Sequence, residues 1–236
     1  MSPKFDYYDA VAHLIPGTIG CLVILYFCDI LAVTLPKPEI GSLSGLGIGI
    51  ALAYTVGHLL QSIASVLEPV YYLIWGGRPS VNLLDRRSDY FSDDERRQLI
   101  QELVDFFGTP GSCPTEKKAK RRYYQRLFQR CMAVCNRNKL GRVEVFVTAY
   151  GFHRVLLTTF LLTLGLCLVA WGAHEWSLVR LPDDKLGLLS FVTLTSGIST
   201  LIEVFRARKR AYHYAREVLA MTCDYIRSSR SAVNPP

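Results

Sequence analysis

The sequence predicts an all-α, polytopic membrane protein. It has four transmembrane helices, a small helical cytoplasmic insert between the second and third, and a helical cytoplasmic tail. Three observations predict this class. Half of the 236 residues are hydrophobic, and they gather in four blocks, 10–35, 43–75, 143–171 and 186–205. Each block can cross a bilayer's hydrocarbon, which takes about 20 helical residues. The basic residues are also strongly biased. Of 27 Lys and Arg, the two short connections hold only Lys37, Arg180 and Lys185. The rest fall before the first block, in 76–154, or after Phe205. The basic side is expected to be cytoplasmic, so both termini face inward. The expected divisions are 1–75 (spans one and two), 76–142 (basic insert), 143–205 (spans three and four) and 206–236 (tail).

The elements follow in order. Pro16-Gly17 falls early in the first span, where proline would kink or delay the regular turn. That span has no small-residue cleavage site after it and is expected to stay as an anchor. Tyr7 and Tyr8 suit the interface, and "LPKPE" at 35–39 makes an outer loop. The second span, 43–75, amounts to about 50 Å of helix, longer than a bilayer. It must tilt, bend or extend inward, and Pro69 is the expected bend, with Tyr71, Tyr72 and Trp75 as interfacial anchors. "WGGRPS" ends it. Ser92 and Glu95 form a capping-box pattern that opens a helix through Phe107. "GTPGSCP" is a loop, and a basic helix over 115–136 follows with Tyr124, Leu127, Phe128 and Met132 as its apolar stripe. A helix resumes near Arg142 and runs into the third span. The fourth continues as the tail to about Arg227. The insert alone could bury little core, so it is expected to pack on the inner ends of the spans or on copies of itself.

The second span tolerates unusual polarity. At 100° per residue, Tyr54, His58, Gln61, Ser65 and Glu68 share an arc of about 80°. Gly45, Gly49, Ala53 and Gly57 follow a small-xxx-small spacing on another face, where a second backbone can approach. The third face is apolar. Lipid offers the polar arc no partners, so it must meet protein or water. It is either bundle glue, hydrogen-bonded to neighbouring helices, or the lining of a polar path. In the fourth span Thr193, Ser196, Ser199, Thr200 and Glu203 share an arc of about 120°. Glu203 also stands close to Arg206, where a salt bridge is the plainer role. The candidate path or gate is therefore His58, Gln61, Ser65, Glu68, Thr193, Thr200 and Glu203.

The net charge of +7 sits on the inner side, where it serves topology and attraction to anionic lipid. Lys117, Lys118, Arg121 and Arg122 are the candidate contacts for lipid or a soluble partner; nucleic acid is not expected. None of the seven cysteines lies in an outer connection, which argues against a disulfide framework. Cys131 and Cys135 read as helix-packing residues. No metal or cofactor is expected. Enzyme chemistry is not expected either, because the chain has no HExxH, Walker loop or G-x-S-x-G and its histidines are scattered.

"FDYYDAVAHLIPG", "LAYTVGHLLQ", "GGRPS" and "YGFHR" resemble a family of small bacterial integral membrane proteins, some associated with antiphage defence loci. The resemblance covers most of the chain as scattered short motifs and brings no catalytic residues. It implies an inner-membrane effector, or a membrane sensor partnered by a soluble component. Two functions follow as expectations. One is a homo-oligomeric effector that forms an ion-conducting or membrane-disrupting path. The other is a receptor or scaffold that recruits a soluble cytoplasmic defence partner through the insert and tail.

Overall fold

The computed structural model describes residues 7–30, 43–85, 90–109, 113–179 and 181–233. Among these the protein is helical, without a strand. Seven helices are described: α1 (Tyr7–Ile30), α2 (Leu43–Ile74), α3 (Pro79–Leu84), α4 (Asp93–Phe107), α5 (Lys117–Arg137), α6 (Gly141–Glu175) and α7 (Asp183–Val233). Four of them, α1, α2, α6 and α7, are long and apolar enough to cross a membrane. Pro16 and Pro69 lie inside α1 and α2. The 35–39 loop and the side chains of Tyr7 and Tyr8 lie outside the described residues.

The chain divides into two compact units. The first holds 1–68 and 148–207; the second holds 69–147 and 208–236. The divisions fall within α2, α6 and α7, and the first falls between Glu68 and Pro69.

In the first unit α1 and α2 touch backbone to backbone. A methyl group added at Gly17 would overlap the carbonyl of Ala53, and one at Gly57 would overlap the carbonyl of His13. Small residues permit this approach. Gly17, expected to act with Pro16 in a kink, therefore also serves as a contact point. Of the predicted small-residue stripe, Ala53 and Gly57 face α1, Gly45 is buried, and Gly49 faces open space. Elsewhere in this unit, Cys167 and Leu189 centre one apolar cluster and Leu60, Ala64 and Val155 another.

The second unit has a core of its own. Leu83, Leu84, Leu103, Leu127, Val218, Leu219 and Ile226 are buried together. The insert thus completes its core with the C-terminal half of α7 and the start of α6. Local chemistry sets the elements. Gly76 and Gly77 have φ of 79° and 128°, a region open mainly to glycine, and they end α2. At Gly77 a side chain would also meet the Asn82 carboxamide, which donates to the Tyr212 hydroxyl at 3.0 Å. Ser92 caps α4 with the expected box: its hydroxyl accepts from the Glu95 amide, and the Glu95 carboxylate accepts from the Ser92 amide. Gly108, at φ 56°, closes that helix. Helix α3 is an element that periodicity did not predict. Tyr71 and Trp75, expected as interfacial anchors, are instead buried, so these rings turn into the fold.

Candidate functional site

The candidate site is a collar of charged and polar side chains in the first unit, built around two neighbouring residues of α6. Consecutive helical residues point 100° apart, so His153 and Arg154 address different helices. Arg154 turns to α2, where its Nη1 lies 3.0 Å from Glu68 Oε1 and its Nη2 donates to Ser65 Oγ at 3.3 Å. Tyr150, one turn earlier, donates to the same Glu68 oxygen at 2.6 Å. Its ring also lies under the guanidinium, 5.5 Å from centroid to Cζ. His153 turns to α7, where Nδ1 lies 2.8 Å from Glu203 Oε2. Arg206 stands 3.9 Å from the other Glu203 oxygen. The Glu203 side chain is 6% exposed and that of Arg154 11%. Burial makes such groups costly to leave without partners; Arg154 Nε, also buried, has no hydrogen-bond partner.

A second, smaller ionic contact joins α7 to α1. Lys185, in the first turn of α7, reaches the Asp29 carboxylate at 3.0 Å and the Asp29 carbonyl at 2.8 Å. Between the two sets of charges α7 carries no Asp, Glu, Lys or Arg from 186 to 202, and α6 none from 155 to 174. Those stretches are about 26 and 30 Å long at 1.5 Å per residue, close to bilayer hydrocarbon. Helix α2 is likewise free of these residues from 43 to 67.

The predicted path residues thus fall into three groups. Glu68, Ser65 and Glu203 belong to the collar. Thr193 and Thr200 donate to carbonyls one turn back in α7, at 2.6 and 2.8 Å, and Ser65 does the same to Gln61 O at 2.9 Å. His58 is exposed and Gln61 half-buried. His58 stacks on His13 of α1 with centroids 4.1 Å apart and meets the edge of Tyr54 at 4.5 Å. The collar's partners on α6, namely Tyr150, His153 and Arg154, were not among the predicted site residues. Their signal was present in "YGFHR", where two charged or titratable residues and a tyrosine share about one helical turn within the apolar block 143–171.

In the second unit, Lys117, Lys118, Arg121 and Arg122 are all exposed on α5. Cys131 and Cys135 are buried, and burial pushes the Cys131 thiol up to about 12. Among the described residues no cluster of His, Cys, Asp and Glu could hold a metal ion.

Comparison with protein families, with curated proteins and with solved structures finds no match to this chain.

Proposed function

We propose that this chain is a multi-pass protein of the bacterial inner membrane, with both termini in the cytoplasm. We further propose that it acts as a homo-oligomeric effector whose activation opens an ion-conducting or membrane-disrupting path. The observation that carries the reading is a bilayer-thick layer, charge-free apart from histidine and bounded by ionic contacts, with an exposed imidazole in its α2 wall. A soluble protein has no use for such a layer. Lipid cannot satisfy His58 on its exposed side, so a second copy or a water-filled path is the natural neighbour of that face. The collar then serves as the gate. It ties α2 and α7 to α6 through Glu68 and Glu203, and releasing either tie would free an inner helix end. The antiphage setting draws its support from the sequence resemblance alone.

Triggered expression in cells carrying a membrane-potential dye tests the reading. Wild type should depolarise the membrane. A His58/Gln61/Glu68 triple substitution that still inserts should not, and full depolarisation by that variant would remove these residues from the path.

A second reading has its own support. The carboxylates of the polar arcs are already paired within one chain, as bundle glue would be. On this reading the second unit recruits a soluble defence partner through Lys117, Lys118, Arg121 and Arg122. Co-purification of a soluble protein, lost on charge reversal at those four positions and unaccompanied by ion flux in liposomes, would favour it.

A further inference from the structure

We infer that the second unit carries its own dimerisation surface, in which Phe106 of one copy enters the groove beside α5 of another. Between residues 79 and 137, Phe106 is the exposed large hydrophobic side chain among the described residues, at 40% exposure. It stands on the last turn of α4, edge-on to Phe107 with centroids 5.1 Å apart, and next to the exposed carboxylate of Asp105. Close by in the same unit is a groove of about 520 Å³. Pro114, Tyr123, Leu127 and Ala133 supply apolar lining, and Arg126 and Arg130 are its cations. The volume admits an aromatic ring with room for its neighbours.

Charge selects the occupant. Helix α5 holds eight Lys and Arg and no acidic residue, whereas α4 holds five Asp and Glu against two Arg. Two α5 helices repel one another, while α4 of one copy and α5 of another attract. A segment suited to this groove should pair an aromatic anchor with a carboxylate, and Phe106 with Asp105 is that pair. Arg130 is already positioned, donating to the Phe107 carbonyl at 3.3 Å and lying over the Phe107 ring. Thr109, which also lines the groove, is one helical turn's worth of chain from Phe106. Knob and hole are therefore neighbours on one surface. A two-fold axis between them lets each copy fill the other's groove, and the contact closes as a dimer. The inference stands whether or not the assembled protein conducts ions.

The test uses the full chain in detergent micelles and in nanodiscs, with mass measured by light scattering. Phe106→Asp should weaken dimerisation by about thirtyfold, the loss typical of a hot-spot aromatic. Phe106→Tyr should preserve the dimer. Asp105→Arg and Arg126→Glu should each weaken it, and the two together should restore it. With Cys113→Ser in both, a Phe106→Cys copy and a differently tagged Ala133→Cys copy should cross-link into a mixed dimer. Circular dichroism confirms that each variant keeps its helices. Two outcomes would overturn the inference: no cross-link between folded Phe106→Cys and Ala133→Cys copies, or no rescue by the double charge exchange. If Arg126→Glu left the mass unchanged but abolished pelleting with phosphatidylglycerol vesicles, the cationic groove would face lipid and the dimer contact would be wrong.

Discussion

The Arg154 guanidinium lies 3.0 Å from a Glu68 oxygen that also accepts the Tyr150 hydroxyl. One carboxylate on α2 thus holds two side chains one turn apart on α6. The arrangement locks the azimuth of both helices, because rotating either would separate the charges. It also places the ions immediately before the stretch of α6, from 155 to 174, that carries no Asp, Glu, Lys or Arg.

Removing one partner should cost more than removing both. Arg154→Met leaves Glu68 partly buried without its cation, whereas Arg154→Met with Glu68→Met replaces the pair by apolar contact. Thermal unfolding in micelles should show the single variant clearly destabilised and the double variant recovering much of the loss. The expected coupling is about 0.5–3 kcal/mol, the range for residues in one ionic network. A coupling near zero would mean that the contact is ornamental.

The α1–α2 crossing makes a second prediction. Gly57→Ala and Gly17→Ala each place a methyl group on an opposing carbonyl, so the helices must separate. Each should lower stability by about 1–3 kcal/mol, as overpacking does. Gly49→Ala, on the same predicted stripe but facing open space, should be neutral or mildly stabilising through its gain in helix propensity. Equal effects at all three positions would remove the crossing as the cause.

The contrast between Gly49 and Gly57 shows what the sequence can and cannot reveal. Spacing identified the stripe, but spacing cannot say how far along it a partner extends. The same holds at the collar. Periodicity grouped Glu68 with Ser65, and Glu203 with Thr200, since those are relations within one helix. That Glu68 meets Arg154 and Glu203 meets His153 depends on which helices pack together, and no periodicity encodes that. The four apolar helices, the Ser92 capping box and the helical tail were legible because each rests on local composition. Helix α3, "PSVNLL", was not, being shorter than two helical turns. Tyr71 and Trp75 misled because an aromatic beside an apolar block fits an interface and a core equally well.

The cysteines of the second unit separate by environment. Burial pushes the Cys131 thiol up to about 12 and raises that of Cys135, while Cys113 is exposed. A raised thiol pKa depresses the reactive thiolate at every pH below it, about a thousandfold for a three-unit rise. Maleimide labelling of the folded protein at pH 8 should modify Cys113 well before Cys131 and Cys135. The linkage has one sign. The folded state prefers the protonated Cys131, so its contribution is full below the ordinary thiol pKa and falls as pH rises from about 9 toward 12. Rapid labelling of Cys131 in folded protein would place it outside the core.

The capping box supplies a local measure of the second unit. Ser92→Ala removes the hydroxyl that accepts the Glu95 amide and should cost about 1 kcal/mol. Ser92→Asp should restore most of that, since a carboxylate can take the same amide and favours a helix N-terminus. Amide hydrogen exchange across α4 reads the change directly. Uniform exchange in both variants would show that the first turn does not depend on the cap.

Membrane insertion can be tested by lysine substitution at two exposed leucines. Leu194 lies in the charge-free stretch of α7 and its side chain is 63% exposed, while Leu178, beyond the end of α6, is 73% exposed. In water, replacing either exposed leucine by lysine would be harmless or would improve solubility. In lipid the two positions part company. Leu194→Lys would place an ammonium within hydrocarbon at a cost of about 2.5–3.5 kcal/mol near a span centre, lowering insertion and yield in the membrane fraction. Leu178→Lys falls outside the layer bounded by the ionic contacts and should insert normally. Normal yield and folding for both variants would mean that α7 meets water along this face, and the membrane reading would fall with it.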